Sequence, residues 1–227
     1  MAKGKVGFYG KLPIVGDFIT RRLAKDFISA IDQWMQNGVS VSKEELAENW
    51  LDLYLTSPIW RFAIQADICG EHSWVGIMMP SVDKVGRYYP LILACPVHKS
   101  QLALILAHCD DWFIRLEKLA LAGLEENYNL EGFNEAILEL ETPEISNACI
   151  AEAKENNDQL ATHLISELEF NETVAMLDRV MLTGLNAINK SGENYSLWLH
   201  GGSEHNAGTV KIYKGLPTAH DYSMMIA

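Results

Sequence analysis

Four charged residues interrupt the apolar pattern of this sequence and are its best candidates for a functional site: Asp17, Arg61, Asp83 and Arg87. An arginine guanidinium holds a carboxylate through two hydrogen bonds, so these side chains could pair with one another and pin loops to a sheet. Arginine and large aromatic residues are also enriched at interface hot spots. The second interpretation is therefore a protein-binding patch that adds three nearby aromatic residues, Trp60, Tyr88 and Tyr89. Exposure of those aromatic side chains would distinguish the two.

An enzyme built on the same four charged residues is the third interpretation. It would require a deep pocket that gathers them and strongly shifts their pKa values. No nucleophile with a paired base is visible in the sequence. Gly10-Lys11 resembles the end of a phosphate-binding loop, but Lys5 stands where the first glycine is required and Leu12 where a magnesium-binding serine or threonine belongs.

Other catalytic and metal-binding motifs are also incomplete in this sequence. His200-Gly201-Gly202-Ser203 is similar to an oxyanion loop, yet no Gly-x-Ser-x-Gly nucleophile turn occurs, and a hairpin turn explains the glycines better. None of the seven histidines has His-Glu-x-x-His spacing. The four cysteines lack the close pairs of a zinc site, and we expect them to be buried free thiols. The sequence therefore predicts a protein that has no metal or cofactor and is not an enzyme.

The negative charge of the chain is concentrated in one segment. The formal net charge is −12, and residues 125–172 hold 13 acidic residues against one basic residue, Lys154. A surface of this sign repels nucleic-acid phosphates and anionic lipid headgroups, so neither nucleic acid nor a membrane is an expected partner. The acidic residues either solvate exposed helices or form a docking face for a basic protein.

The apolar pattern predicts a meander of three strands. Residues 59–68 alternate with a period of two, which is typical of a half-buried strand with Trp60 and Phe62 on one face. Residues 74–79 and 91–95 are continuous apolar runs, as in strands covered on both faces. The connections are too short for a crossover helix, so the three strands should pair antiparallel.

Helical periodicity accounts for most of the remaining chain. A first helix contains Phe27, and Asn37-Gly38 is predicted to end it. Ser42 and Glu45 then form a capping box that would begin a second helix. A single helix of roughly 25 residues is then predicted, with Leu102 as the first residue of its apolar face. Shorter helices are predicted in the remaining stretch before the last strands, at 133–140, 160–168 and 171–188.

Strands at both ends of the chain enclose this helical middle. Residues 5–9 form an N-terminal strand, and residues 195–200 and 209–213 form a C-terminal hairpin that completes the sheet. We expect an α+β fold with a mostly antiparallel central sheet covered by helices in an α/β/α-like layering. Residues 1–227 would form a single domain with an acidic helical insertion at about 125–172. No secretory signal or membrane-length apolar run is visible, so a cytoplasmic location is expected.

Several blocks of the sequence resemble one known family. The N-terminal blocks are Gly7–Pro13 with Gly16-Asp17-Phe18, Trp50–Phe62, and Met79–Leu91. They are similar, in this order, to the TagF proteins associated with bacterial type VI secretion. Three C-terminal blocks resemble the closing motifs of the family: Ser196-Leu197-Trp198, Gly202-Ser203 and Gly215-Leu216-Pro217. Residues 125–190 match no motif of the family.

The resemblance implies a cytoplasmic accessory protein that represses type VI secretion after translation. Its implied partner is a forkhead-associated scaffold protein, which it would bind and sequester. Some TagF relatives are fused to a PppA-type serine/threonine phosphatase, but this sequence has neither the length nor the metal-binding aspartate motifs for one. The alternative is an adaptor that recruits such a phosphatase, or a membrane component, through the acidic segment.

Overall fold

One antiparallel sheet of seven strands organises the protein. The computed structural model describes residues 4–125, 129–145, 193–201 and 208–227. The strands are β1 (Gly7–Gly10), β2 (Ile19–Arg21), β3 (Trp60–Ile64), β4 (Ser73–Met79), β5 (Leu91–Val97), β6 (Tyr195–His200) and β7 (Thr209–Lys214). Their order is β2-β1-β5-β4-β3-β6-β7. The predicted meander, N-terminal strand and C-terminal hairpin are therefore confirmed, and β2 is an additional short strand.

Helices cover both faces of this sheet. They are α1 (Lys25–Leu46), α2 (Trp50–Thr56), α3 (Leu102–His108), α4 (Asp110–Ala122), α5 (Leu130–Glu139) and α6 (Ala219–Ile226). Side chains of α1, α2 and α6 pack with Trp60, Phe62 and Trp198 of the sheet. Side chains of α3, α4 and α5 pack with Phe8 and Ile77 from the opposite face. The predicted α+β fold and its layering are confirmed, because apolar residues on alternate sides of the strands feed two separate cores.

The prediction that Asn37-Gly38 ends the first helix is wrong, because α1 continues to Leu46. A Cβ atom on Gly38 would lie 2.5 Å from the Tyr222 ring, so this glycine permits the close approach of α6. The predicted capping box is also wrong. Ser42 is buried inside α1, where it accepts a hydrogen bond from Trp50 Nε1 (2.9 Å).

The prediction of a continuous helix after Leu102 is wrong as well, because Cys109 leaves helical geometry (φ −108°, ψ 37°) between α3 and α4. Strand β3 ends at Ile64, earlier than predicted, and Asp67 has φ 69° in the turn that follows. The helix predicted at 133–140 is confirmed by α5. Those predicted at 160–168 and 171–188 lie outside the described residues.

Strand register shows which connections lie together. Met79 pairs with Leu91, and Gly10 also pairs with Leu91, so the connections 80–90 and 11–18 leave the same end of the sheet. Trp60 pairs with Met78, which places residues 57–59 at this end too. We call these three connections, residues 11–18, 57–59 and 80–90, the loop edge.

Two further expectations concern cysteines and membranes. Cys69 and Cys95 are buried free thiols, and burial raises the pKa of each to about 12. Cys109 is buried as well. Cys149 lies outside the described residues. None of the helices within the described ranges combines the length and apolar character needed to cross a bilayer.

Candidate functional site

The loop edge gathers the N-terminal sequence blocks singled out above. Gly10, at φ 136°, lets β1 pass so close to Pro90 that a Cβ atom would lie 2.1 Å from the Pro90 carbonyl oxygen. Gly86, at φ 84°, makes the tip of the 80–90 connection, where its N–H donates to the Asp83 carbonyl (2.9 Å). Val82 and Tyr88 form an isolated antiparallel bridge across the same connection. The 80–90 segment is therefore an ordered hairpin loop.

Asp83 is the centre of this loop. Its carboxylate is fully buried and forms ion pairs with Lys11 Nζ (2.9 Å) and Arg87 Nε (2.6 Å). It also accepts the backbone N–H groups of Val85 (3.0 Å) and Arg87 (2.9 Å). Burial raises the pKa of Asp83, but the backbone N–H of Arg87 and the Lys11 and Arg87 side chains outweigh it, and the pKa lies well below its usual range. The carboxylate is thus held ionised.

Hydrogen bonds fasten the 80–90 loop to the 11–18 loop. Arg87 Nη2 donates to the Gly16 carbonyl (2.6 Å), and the backbone N–H of Lys84 donates to the Val15 carbonyl (3.0 Å). Ser81 Oγ donates to the Lys11 carbonyl (2.7 Å). These bonds leave the two loops little freedom to move independently.

Aromatic side chains join the loop edge to α1 and α2. Tyr54 of α2 donates its hydroxyl to the Ser81 carbonyl (2.9 Å), and Tyr88 packs against Tyr54 with 5.9 Å between ring centroids. Phe18 stacks on Tyr9 and meets Tyr89 edge-on. The hydroxyls of both tyrosines donate to Asp32 of α1. The polar and aromatic contacts together make one rigid surface.

Exposed side chains at this edge are mostly apolar or basic. Phe18 is 43% exposed and Val85 is 68% exposed. Lys84 and Arg87 are exposed beside them. Because Asp83 is buried and paired, its negative charge does not dominate this surface. The arrangement is suited to contact with another molecule.

The structure does not bring all of the predicted site residues together. Asp83 and Arg87 pair as the ion-pairing interpretation requires. Asp17 is exposed, and its carboxylate accepts the backbone N–H of Phe18 (2.8 Å). Tyr89 is buried and Tyr88 half-buried, so they support the loop from within.

Arg61 and Trp60 belong to other parts of the fold. Arg61 Nε donates to Glu117 of α4 (2.6 Å), its Nη1 pairs with Asp110, and its guanidinium lies over the Phe113 ring. Burial lowers the pKa of Arg61, but Glu117 and Asp110 raise it above its ordinary value. Trp60 is buried in the opposite layer and donates Nε1 to the Met225 carbonyl (3.0 Å). The assignment of the seven residues to one binding patch stays a prediction.

Sequence reasoning missed four residues of the loop edge. Lys11 was considered only as a phosphate-loop lysine, and Phe18, Val85 and Asp32 were not singled out as site residues. Val85 stands between Lys84 and Gly86, and a glycine among charged residues is a usable signal for an exposed turn. No local pattern connects Asp32 to the loops, because it lies in the middle of a helix.

Chemical features elsewhere are sparse in the described part of the chain. No group of three or more histidine, cysteine or acidic side chains is placed there to hold a metal ion. An open groove of about 800 Å³ lies at the other end of the sheet, near Ser73 and Val97, and His72 and His98 are in its lining. Its lining includes none of Asp17, Arg61, Asp83 and Arg87. The expectation that the protein is not an enzyme stays a prediction.

Comparison with known proteins identifies a matching family profile and a similar solved structure. The family profile described as "TagF N-terminal domain, Type VI secretion system-associated" matches residues 7–140. The crystal structure of PA0076 from Pseudomonas aeruginosa is similar, with 33% sequence identity and a TM-score of 0.74. That match covers 98% of this chain and 94% of PA0076. No curated protein sequence matches the chain.

Proposed function

Because this chain belongs to the TagF family of type VI secretion-associated proteins, we propose that it represses type VI secretion after translation by binding a forkhead-associated scaffold protein. The action requires contact alone. Occupancy of the scaffold depends on the concentrations and the dissociation constant, so bound scaffold is withdrawn from assembly by mass action. The proposed location is the cytoplasm, where scaffold and repressor would meet.

The network of hydrogen bonds and ion pairs in the loop edge is the observation that supports this proposal most strongly. A preformed surface loses little conformational entropy when it binds, which improves affinity without added contact area. Buried ion pairs and hydrogen bonds hold this edge in place, while Phe18 and Val85 remain exposed. Aromatic residues, phenylalanine included, are enriched in the cores of protein–protein interfaces. The loop edge is therefore the proposed contact surface for the scaffold.

The test is binding of purified scaffold to surface variants of the full chain. Val85→Asp introduces a charge at a 68% exposed position without removing a core contact, and we expect it to weaken scaffold binding at least tenfold. Leu121→Asp is the matched control, because Leu121 is 49% exposed on α4 and belongs to none of the three connections of the loop edge. Unchanged binding by Val85→Asp, or equal loss in both variants, would contradict the proposed surface.

Arg61 is a poor choice for such a test. Its guanidinium lies between two carboxylates and over an aromatic ring, so Arg61→Glu would place a third carboxylate beside Asp110 and Glu117. Loss of binding in that variant would report damaged packing. Variants at exposed positions separate contact from stability.

The exposed acidic residues of α5 favour a second candidate function, which is recruitment of a phosphatase or a membrane component. Glu131, Glu135 and Glu139 are all exposed on this helix at four-residue spacing. Like charges at this spacing destabilise a helix by a few tenths of a kcal/mol per pair, and a basic partner would relieve that cost. Lysine at all three positions should abolish phosphatase capture and leave scaffold binding intact if the adaptor function is correct.

A further inference from the structure

Phe18 is unusually well supported for an exposed side chain. Its ring lies parallel to that of Tyr9, with centroids 5.8 Å apart and an interplanar angle of 8°. It meets Tyr89 edge-on at 4.8 Å, and Lys11 Nζ lies 5.0 Å from its centroid. Contacts on several sides restrict the ring although 43% of the residue is exposed. A surface phenylalanine without such neighbours would have more rotamer freedom.

The two tyrosines under Phe18 share one carboxylate of α1. Asp32 Oδ1 accepts the hydroxyls of Tyr9 (2.6 Å) and Tyr89 (2.7 Å), and Gln36 Nε2 donates to Oδ2 (2.7 Å). Burial raises the pKa of both tyrosines. Burial also raises the pKa of Asp32, but the Tyr89, Tyr9 and Gln36 hydrogen bonds outweigh it and leave the pKa lowered. The phenols are therefore protonated donors to an ionised acceptor, which gives short and strong bonds.

We propose that Phe18 is the aromatic anchor of the loop edge and inserts into an apolar pocket of the scaffold. Asp32 is then a positioning residue, which fixes Phe18 through Tyr9 and Tyr89. The anchor role rests on the proposed function. The positioning role of Asp32 does not, because it concerns the free protein. Two experiments separate them.

The first experiment measures Asp32 without any partner. Asp32→Ala removes the carboxylate that both phenols share and leaves the Tyr89 hydroxyl only the longer contact to the Asp32 backbone carbonyl (3.2 Å). It should speed hydrogen exchange of the amides around Phe18 about tenfold or more. Asp32→Asn keeps an acceptor oxygen and should restore much of the protection. Amides of β4 and β5 serve as the internal reference for intact folding. If Asp32→Ala does not fold, the paired Tyr9→Phe and Tyr89→Phe variant removes the same hydrogen bonds while keeping both rings.

The outcomes of this experiment are distinct. Faster exchange confined to the Phe18 region supports the positioning role. Exchange equal to wild type near Phe18, or a uniform increase that includes β4 and β5, overturns it.

The second experiment is a double-mutant cycle measured by scaffold affinity. Phe18→Ala should weaken binding about 30-fold, as expected for a hot-spot residue. Asp32→Ala should weaken binding about fivefold in the wild-type background and hardly at all in the Phe18→Ala background, because its effect passes through that ring. An equal loss in both backgrounds would assign Asp32 a general structural role.

The cycle also separates this inference from the proposed function. Wild-type affinity for Phe18→Ala overturns the anchor role while the scaffold remains the partner. Absence of any binding by the wild-type protein overturns the proposed function and the anchor role together. In that case the exchange experiment still decides the role of Asp32.

Discussion

The Asp83 cluster of the loop edge and the Arg61 cluster on α4 contain the same residue types in opposite arrangements. In the first, a buried carboxylate is the centre, and the arginine that pairs with it is 57% exposed in its side chain. In the second, the arginine side chain is only 13% exposed, and the two carboxylates lie on its solvent side. Loss of its partners would therefore leave a buried carboxylate unpaired in the first cluster and a buried arginine unpaired in the second.

This difference indicates what each cluster does for the fold. Asp83 receives groups from two loops, so it fixes one connection against another. Arg61 joins a strand to a single helix, and its guanidinium also lies over the Phe113 ring. The first cluster shapes a surface, whereas the second holds α4 against the sheet.

The largest effect is expected from Asp83→Asn. The substitution keeps the side-chain shape but leaves Lys11, which is 5% exposed, without a compensating charge. Removing one partner of a buried ion pair costs about 3 to 5 kcal/mol. Chemical denaturation should show a decrease of this size in the free energy of unfolding. A decrease below about 1 kcal/mol would mean that the Asp83 charge is not needed to hold the loops.

A smaller effect is expected from Arg61→Met. Methionine keeps an apolar side chain of similar length at this position. The freed carboxylates can be hydrated because Asp110 is 66% exposed and Glu117 is 23% exposed in their side chains. We expect a loss of about 1 to 2 kcal/mol, between the values for exposed and buried ion pairs. The same denaturation measurement applies. A loss as large as that of Asp83→Asn would remove the distinction between the clusters.

The pH dependence of stability should differ between wild type and Asp83→Asn. The pKa of Asp83 is lowered in the folded state, so the unfolded chain takes up the proton first as the pH falls. The stabilisation is complete above the unfolded pKa of about 4 and is lost as the pH decreases toward the folded pKa. Unfolding measured between neutral and strongly acidic pH should show the two proteins converging in stability at low pH. Parallel profiles would contradict this assignment.

The fold could be predicted from sequence where the signal is local. The alternation through Trp60 and Phe62, and the two apolar runs that follow, correctly indicated three adjacent strands. The role of Gly38 could not be predicted, because it depends on Tyr222 near the other end of the chain. The capping box of α6, formed by Thr218 and Asp221, was a readable local signal that was missed.

The candidate site was also predictable only where its contacts are local in the sequence. Asp83 and Arg87 are four residues apart, and their pairing was among the predicted arrangements. Lys11 completes the same cluster from a different loop, and Asp32 supports the edge from α1, so neither contact leaves a pattern in the sequence. Arg61 was grouped with Asp83 because residue type alone does not reveal which face of the sheet a side chain occupies.

The smallest change in stability is expected from Arg87→Ala. This variant tests whether Arg87 orders the loop edge without contributing much to the free energy of unfolding. Asp83 would keep Lys11 and two backbone N–H groups, so the loss should be about 1 kcal/mol or less, as for exposed ion pairs. The bond from Arg87 to the Gly16 carbonyl would be lost, so hydrogen exchange in residues 11–18 should become faster. Lys84→Ala is the matched control, because its exposed side chain makes no hydrogen bond or ion pair with the described residues, and its backbone bond to Val15 is retained. If both variants leave exchange in residues 11–18 unchanged, the Asp83 cluster does not order the loop edge through Arg87, and Lys11 and the backbone bonds must hold the two loops together.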